Sequence, residues 1–265
     1  MPAIKKSEKA SSLTRALRIL QLFDASRKVW TVEELAHELD ASTSSAYRDV
    51  QELSRNGFLD PVAGAGYVLG PAFIQYDRLI RQTDPLIRVA APVMRELLSR
   101  TTQHATAILC RRFRDQVMCV HQEQGTGPHP VTTYERGIAM PMFFGASSKV
   151  ILAHLEDRAL KRLYLENETT ILRNSGLPGW REFKEQLRLI RRAGHALTSD
   201  EVTVGLSGVA APVLLDKQVI AGISVVFGDE LLDEQVRARF PLEVMAAAAM
   251  ISQGLSDDKS LISRG

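Results

Sequence analysis

Along residues 31–39 the apolar side chains recur at Val32, Leu35, Ala36 and Leu39, the i, i+3, i+4, i+7 spacing of a helix with one buried stripe. Thr31 and Glu34 stand at its start with capping-box spacing. Asp40-Ala41 interrupts the pattern. A second stripe at Ala46, Val50 and Leu53 predicts another helix, which Gly57 ends as a left-handed residue. Phe58-Leu59 and Tyr67-Val68-Leu69 then flank Gly64-Ala65-Gly66, the pattern of a two-stranded hairpin with a glycine turn. Upstream, Leu13, Ala16, Leu17, Leu20 and Phe23 form the stripe of a first helix over residues 13–24 that packs on the other two. This order predicts a helix-turn-helix followed by a β-wing.

Past the hairpin, residues 71–82 read as a short connecting helix, and Asp84-Pro85 punctuates the chain because a proline pushes the residue before it out of helical geometry. Leu86, Ala90, Met94 and Leu97 trace a helix over 85–100. Residues 105–110 and 117–122 read as paired strands, with 129–135 as a third. Residues 146–155 and 180–192 read as helices. In the latter Trp180, Phe183, Leu187 and Ile190 share a face before Gly194 stops it. The runs at 205–214 and 219–227 are continuously apolar, as expected of central strands buried on both faces. Residues 240–254 close the chain as a helix with Pro241 in its first turn. The expected class is α+β: a basic disordered arm at 1–11, a winged helix-turn-helix at 12–70, a linker helix at 71–84, a helix-covered sheet domain at 85–255 and a flexible tail at 256–265.

Composition narrows this picture only slightly. With 265 residues and 45% hydrophobic content the chain can bury a sizeable core, enough for two domains. The formal net charge is +2, and residues 1–60 hold nine Lys/Arg against nine Asp/Glu, so any electrostatic footprint must come from geometry rather than bulk charge. No apolar run is long enough to span a bilayer, and the first twelve residues lack the apolar core of a signal peptide. A cytoplasmic protein with no membrane association is expected. Two cysteines make no disulfide framework; Cys110 and Cys119 sit symmetrically about a turn at Arg114-Asp115 and could face each other as small reduced hydrophobes.

The second predicted helix of the motif carries the candidate chemistry. Its outer face shows Thr43, Ser44, Tyr47, Arg48 and Gln51, side chains able to reach base edges and phosphates from the major groove. Ser42 and Ser45 flank that face, Arg15 joins the same contact set, and Gly64 and Gly66 of the wing are placed to touch phosphate or minor groove, with Lys5–Lys9 of the arm. Ala146-Ser147-Ser148 opens a helix where backbone N–H groups could hold a carboxylate, or where a serine is simply the cap. The histidines at 104, 121, 129, 154 and 195 show no zinc-type spacing and no nucleophile motif. His121 and His129 flank a glycine-rich loop and are the two placed to join a pocket. No cofactor and no metal site is expected.

The chain resembles the isocitrate lyase regulator (IclR) family of bacterial transcription factors over residues 13–255. The resemblance rests on RALRIL (15–20), S-x-x-YR from Ser44 to Arg48, NGFL (56–59), GYVLGP (66–71), RG-x-x-x-P (136–141), A-x-x-K (146–149), GHALTSDE (194–201) and GLSGVAAPV (205–213). It implies an N-terminal winged helix, a C-terminal effector domain related to GAF and PAS folds, double-stranded operator DNA as partner, and homodimers that pair into tetramers. It places an effector pocket at Met140, Ala146, Ser147, Thr198, Gly208, Ser224 and Val226. Members that bind small carboxylates often carry an acid, a cysteine and a second serine at the last four of these positions, and here only Ser224 keeps its type. Met140, Met142, Phe143, Phe144 and Val226 make the surroundings large and apolar, which favours an aromatic or otherwise bulky organic acid over a two-carbon one. An oligomerisation or docking module without DNA, and a small-molecule enzyme built on the C-terminal domain, are the rival readings.

Overall fold

Ser11, Thr31 and Ser42 each accept a hydrogen bond from the backbone N–H three residues on, and each opens a helix: α1 (Ser12–Gln21), α2 (Val32–Glu38) and α3 (Thr43–Arg55). At α2 the Glu34 carboxylate also accepts from the Thr31 N–H, completing the capping box. Leu35, Ala36 and Leu39 are buried, as are Ala46, Val50 and Leu53 of α3. Gly57 follows α3 at φ +74°, and the Phe58 N–H reaches back to the Leu53 carbonyl, a Schellman ending. Strands β1 (Leu59–Val62) and β2 (Gly66–Leu69) pair as the wing, and Tyr67 also bridges to Trp30.

The stripe expected on α1 is turned. Ile19 is fully buried, whereas Leu13 and Leu17 are 70% and 52% exposed. The reason lies on α3, where the buried Asp49 carboxylate accepts from Ser12 Oγ at 2.6 Å and Arg15 Nε at 2.8 Å, fixing the rotation of α1. Helix α4 (Ala72–Thr83) completes the elements of the first unit; the chain, a computed structural model describing residues 11–132, 134–175 and 179–262, divides into two compact units between Thr83 and Asp84. The basic segment at Lys5–Lys9 lies outside the described residues.

The second unit is built from α5 (Pro85–Arg100), β3 (Ala105–Phe113), β4 (Gln116–Gln124), β5 (Ala139–Pro141), α6 (Ala146–Leu152), α7 (Asp157–Ser175), α8 (Trp180–Ala193), β6 (Ala196–Ser199), β7 (Leu206–Leu215), β8 (Gln218–Gly228) and α9 (Glu234–Ile262). The strands form one antiparallel sheet in the order β5-β4-β3-β8-β7-β6. Ala105, Ala107 and Leu109 of β3 pack on one face with α5 and α9; Ile108 and Cys110 point to the other, where Phe143 and residues of α6, α7 and α8 cover them. That double cover explains the continuously apolar runs of β7 and β8.

Three sequence expectations differ from the structure. Residues 129–135 carry no strand among their described positions; the next strand is β5, because Pro128 and Pro130 have no N–H for a ladder. Helix α7 had no counterpart in the sequence reading, although Leu160, Leu163, Tyr164 and Ile171 are buried at helical spacing. Helix α9 starts six residues early, holds Pro241 in its interior and runs through Gly254 to Ile262, into the stretch expected to be a tail. Gly254 does not stop the helix: a Cβ there would stand 2.7 Å from Val89 Cγ1, so the glycine serves close packing of α9 on α5.

Candidate functional site

Two sites are built, one in each unit. On α3, Ser42, Thr43, Ser44, Tyr47 and Arg48 are exposed and Ser45 and Gln51 half-buried. Ser42 is the N-cap, accepting from the Ser45 N–H, and Gln51 Nε2 donates to Tyr67 Oη at 3.2 Å, tying α3 to the wing. Arg48 Nε donates to the Ser44 carbonyl at 3.3 Å, which leaves the guanidinium on the exposed face. Gly64 stands in open space at the tip of the hairpin. Gly66 does not: a Cβ there would meet the Trp30 carbonyl oxygen at 2.4 Å, so this glycine is required for packing. Arg15 is an ion-pair partner of buried Asp49, with its side chain 20% exposed.

In the second unit a cavity of about 40 Å³ lies on the sheet between α6 and the 198–208 segment. It gathers Ala146, Ser147, Thr198, Gly208, Ser224 and Val226, six of the eight residues expected there. Ser147 Oγ donates to Ser224 Oγ at 2.8 Å across its floor. Gly208 opens it, for a Cβ at that position would lie 3.7 Å from Ala146 Cβ and from Thr198 Oγ1, within the cavity but without a clash. Met140 and Phe143 do not line it. Phe143 is buried with its ring centroid 6.5 Å from that of Phe183, and Met140 packs against the same cluster.

The sequence reading missed Ile108, Tyr134, Val202 and Leu206, which supply most of the cavity's apolar wall. Ile108 was legible only from β3 alternation once the sheet face was known. Tyr134 is buried, which pushes its phenol pKa well up, and its hydroxyl donates to the Phe144 carbonyl at 3.2 Å. The start of α6 is not an open anion site. The helix has seven residues, its cap is Gly145 at φ +80° rather than a serine, and the Gly145 N–H donates at 3.0 Å to Glu201, which also pairs with Lys149. The lining carries no cationic side chain, so an anion there would be held by hydroxyl donors.

Cys110 and Cys119 are direct cross-strand partners on β3 and β4, both buried as free thiols. The hydrogen bond between them raises the Cys110 pKa and lowers that of Cys119. His121 pairs with Glu123 at 3.0 Å and His129 Nδ1 meets the Gly127 carbonyl at 3.0 Å; neither lines the cavity. Among the described residues no group of three His, Cys, Asp or Glu could hold a metal ion, and no helix is long and apolar enough to cross a membrane.

Comparison with known proteins agrees with both units. The family described as bacterial transcriptional regulator IclR C-terminal matches residues 80–253, and the IclR helix-turn-helix domain matches 12–62. The HTH-type transcriptional regulator BhcR of Paracoccus denitrificans is 27% identical over 203 residues, covering 76% of this chain and 71% of its own. The transcriptional repressor IclR of Escherichia coli is 24% identical, covering 76% and 73%. Among solved structures, an IclR family transcriptional regulator from Brucella abortus superposes with a TM-score of 0.75 at 18% identity, over 96% of each chain. An IclR homolog from Microbacterium hydrocarbonoxydans, solved with 4-hydroxybenzoate, superposes at 0.70 and 21% identity over 92% of this chain and 99% of its own. With both domains matched in order along the chain, this protein belongs to the IclR family: it is a transcriptional regulator with an N-terminal helix-turn-helix and a C-terminal effector domain.

Proposed function

We propose that α3 reads double-stranded operator DNA of a catabolic operon and that a small organic acid, bound in the cavity on the sheet, alters that binding. The observation that carries the reading is the polar outer face of α3, where Thr43, Ser44, Tyr47 and Arg48 stand outside the core while Ala46, Val50 and Leu53 anchor the opposite side. Ser42, Ser45 and Gln51 hold that face in place through the cap and the wing, and Gly64 brings the wing tip to the phosphates. In the cavity, Ser147, Thr198 and Ser224 hold the carboxylate of the acid between Ala146, Gly208 and Val226. The fold neighbour solved with 4-hydroxybenzoate supports an aromatic acid as the class to test first.

The protein works in the cytoplasm as a homodimer that pairs into a tetramer. Two features support assembly. The balanced charge of residues 1–60 makes one copy a weak nonspecific binder, so two half-sites are needed for useful affinity. Leu13 and Leu17 of α1, and Ile74 and Ile80 of α4, are apolar and half or more exposed.

Fluorescence anisotropy on the DNA immediately upstream of its own gene, across a salt series with unrelated duplex as competitor, tests the DNA reading. Specific binding is expected, with Arg48→Ala losing about 1–3 kcal/mol if it reads a base. Equal affinity for the competitor overturns autoregulation, and no salt-dependent affinity for any duplex overturns the assignment of α3.

A further inference from the structure

The outer face of α3 is tied to the wing through Gln51. Its partner, Tyr67 of β2, is set on a firm base: the Tyr67 N–H donates to the Trp30 carbonyl at 2.8 Å, its carbonyl accepts from the Trp30 N–H at 3.1 Å, and Trp30 is buried. The Tyr67 hydroxyl accepts from Gln51 Nε2 at 3.2 Å, and both side chains are half-buried. Along α3, Ser44, Arg48 and Gln51 follow at i, i+4 and i+7, one stripe of a helix face.

A carboxamide has two N–H donors and a carbonyl acceptor, and Tyr67 takes one N–H. The second N–H and Oε1 are then a donor and an acceptor side by side. In the major groove only adenine offers the matching pair, a donor at N6 beside an acceptor at N7. Guanine shows two acceptors, cytosine a donor, and thymine an acceptor with a methyl group. Gln51 is the only carboxamide in α3. The hydroxyls of Thr43 and Ser44 fit donors and acceptors alike and so select little, and the Arg48 guanidinium suits guanine or phosphate. Holding the amide before DNA arrives sets the direction of its donor and acceptor and lowers the cost of ordering a long side chain. We propose that Gln51 reads an adenine of the operator and that Tyr67, on the wing, is the positioning residue that orients its carboxamide. This inference rests on the DNA reading above.

The test selects duplexes from a randomised pool with the full chain, then measures anisotropy on the selected duplex and its single-base relatives. One position is expected to favour adenine about tenfold. Gln51→Ala should abolish that preference and keep those at other positions. Gln51→Glu can still accept from the Tyr67 hydroxyl but has no N–H, and should turn the preference from adenine to cytosine, whose N4 donates. Tyr67→Phe should lower the adenine ratio about threefold, because the amide is then ordered only on binding. A contact that merely held the wing to α3 would, when lost, weaken every duplex alike and leave the ratio as it was. That result for Tyr67→Phe overturns the positioning role. Base preferences that survive in both Gln51 variants, or a Gln51-dependent preference for a base other than adenine, overturn the readout while leaving the DNA reading standing. A parent that enriches no sequence overturns both.

Discussion

At the residue scale, side-chain identity was a better guide to chemistry than to role. Arg15 reads as a DNA contact because a cation on a helix-turn-helix invites that reading, yet its partner is Asp49, 34 residues on and 3% exposed. Arg15→Ala takes this counter-ion from a buried carboxylate that keeps its hydrogen bond from Ser12, and should destabilise the first unit by about 3 kcal/mol. Urea denaturation measures this directly; an unchanged midpoint with weakened DNA binding would restore Arg15 to the DNA surface. Gly208 behaves in the opposite way, since a Cβ there meets only ordinary contacts at 3.7 Å inside the cavity. Gly208→Ala should keep its thermal midpoint and lose affinity for the effector acid about tenfold. An alanine variant that binds as well as the parent would move the ligand off β7. Ser147, Thr198 and Ser224 were legible from the family motif, but the hydrogen bond joining Ser147 to Ser224 spans 77 residues and appears only in the fold.

At the element scale, helices with local start and stop signals were legible and those without were not. The capping box at Thr31, the cap at Ser42, and the left-handed glycines at 57 and 194 are complete within a few residues, so their elements stand where the pattern puts them. Helix α7 lacks such punctuation, and its chain leaves helical geometry at Asn167 (φ −128°), where Asn167 Nδ2 turns back to the Leu163 carbonyl. What holds α7 is tertiary: Tyr164 meets Trp180 and Phe183 of α8 at ring-centroid distances of 5.2 and 5.3 Å, with Phe143 beyond. Phe143→Ala should therefore cost about 3–5 kcal/mol of stability through the cavity it leaves. Equilibrium unfolding monitored by near-ultraviolet circular dichroism reads it. A loss below about 1 kcal/mol would mean that the aromatic cluster relaxes around the gap, and would reopen Phe143 as a ligand contact.

At the scale of the whole molecule, burial makes stability depend on pH. His154, at the end of α6, has its pKa lowered from 6.5 first by burial, with a hydrogen bond to the Val150 carbonyl opposing and Arg191 assisting the shift. The folded state thus binds the proton less readily than the unfolded chain. Its contribution is fully present above about pH 6.5 and is lost as pH falls through the lower folded-state value. His154→Gln should flatten the decline of thermal midpoint with acid in that window, and an identical pH profile for parent and variant would refute the assignment. The sequence by itself determined what depends on neighbours within a turn or a strand: the helix-turn-helix and its wing, the polar face of α3, the two apolar central strands, and the family to which their order belongs. Only the tertiary structure decided which side of α1 faces inward, that Gly254 packs instead of terminating, that Met140 and Phe143 leave the cavity, and that the buried Thr106 hydroxyl has no partner among the described residues. The physical reason is common to all four. Helical and strand periodicity are set by local backbone geometry, whereas rotation, close approach and cavity shape are set by side chains that meet across tens to hundreds of residues.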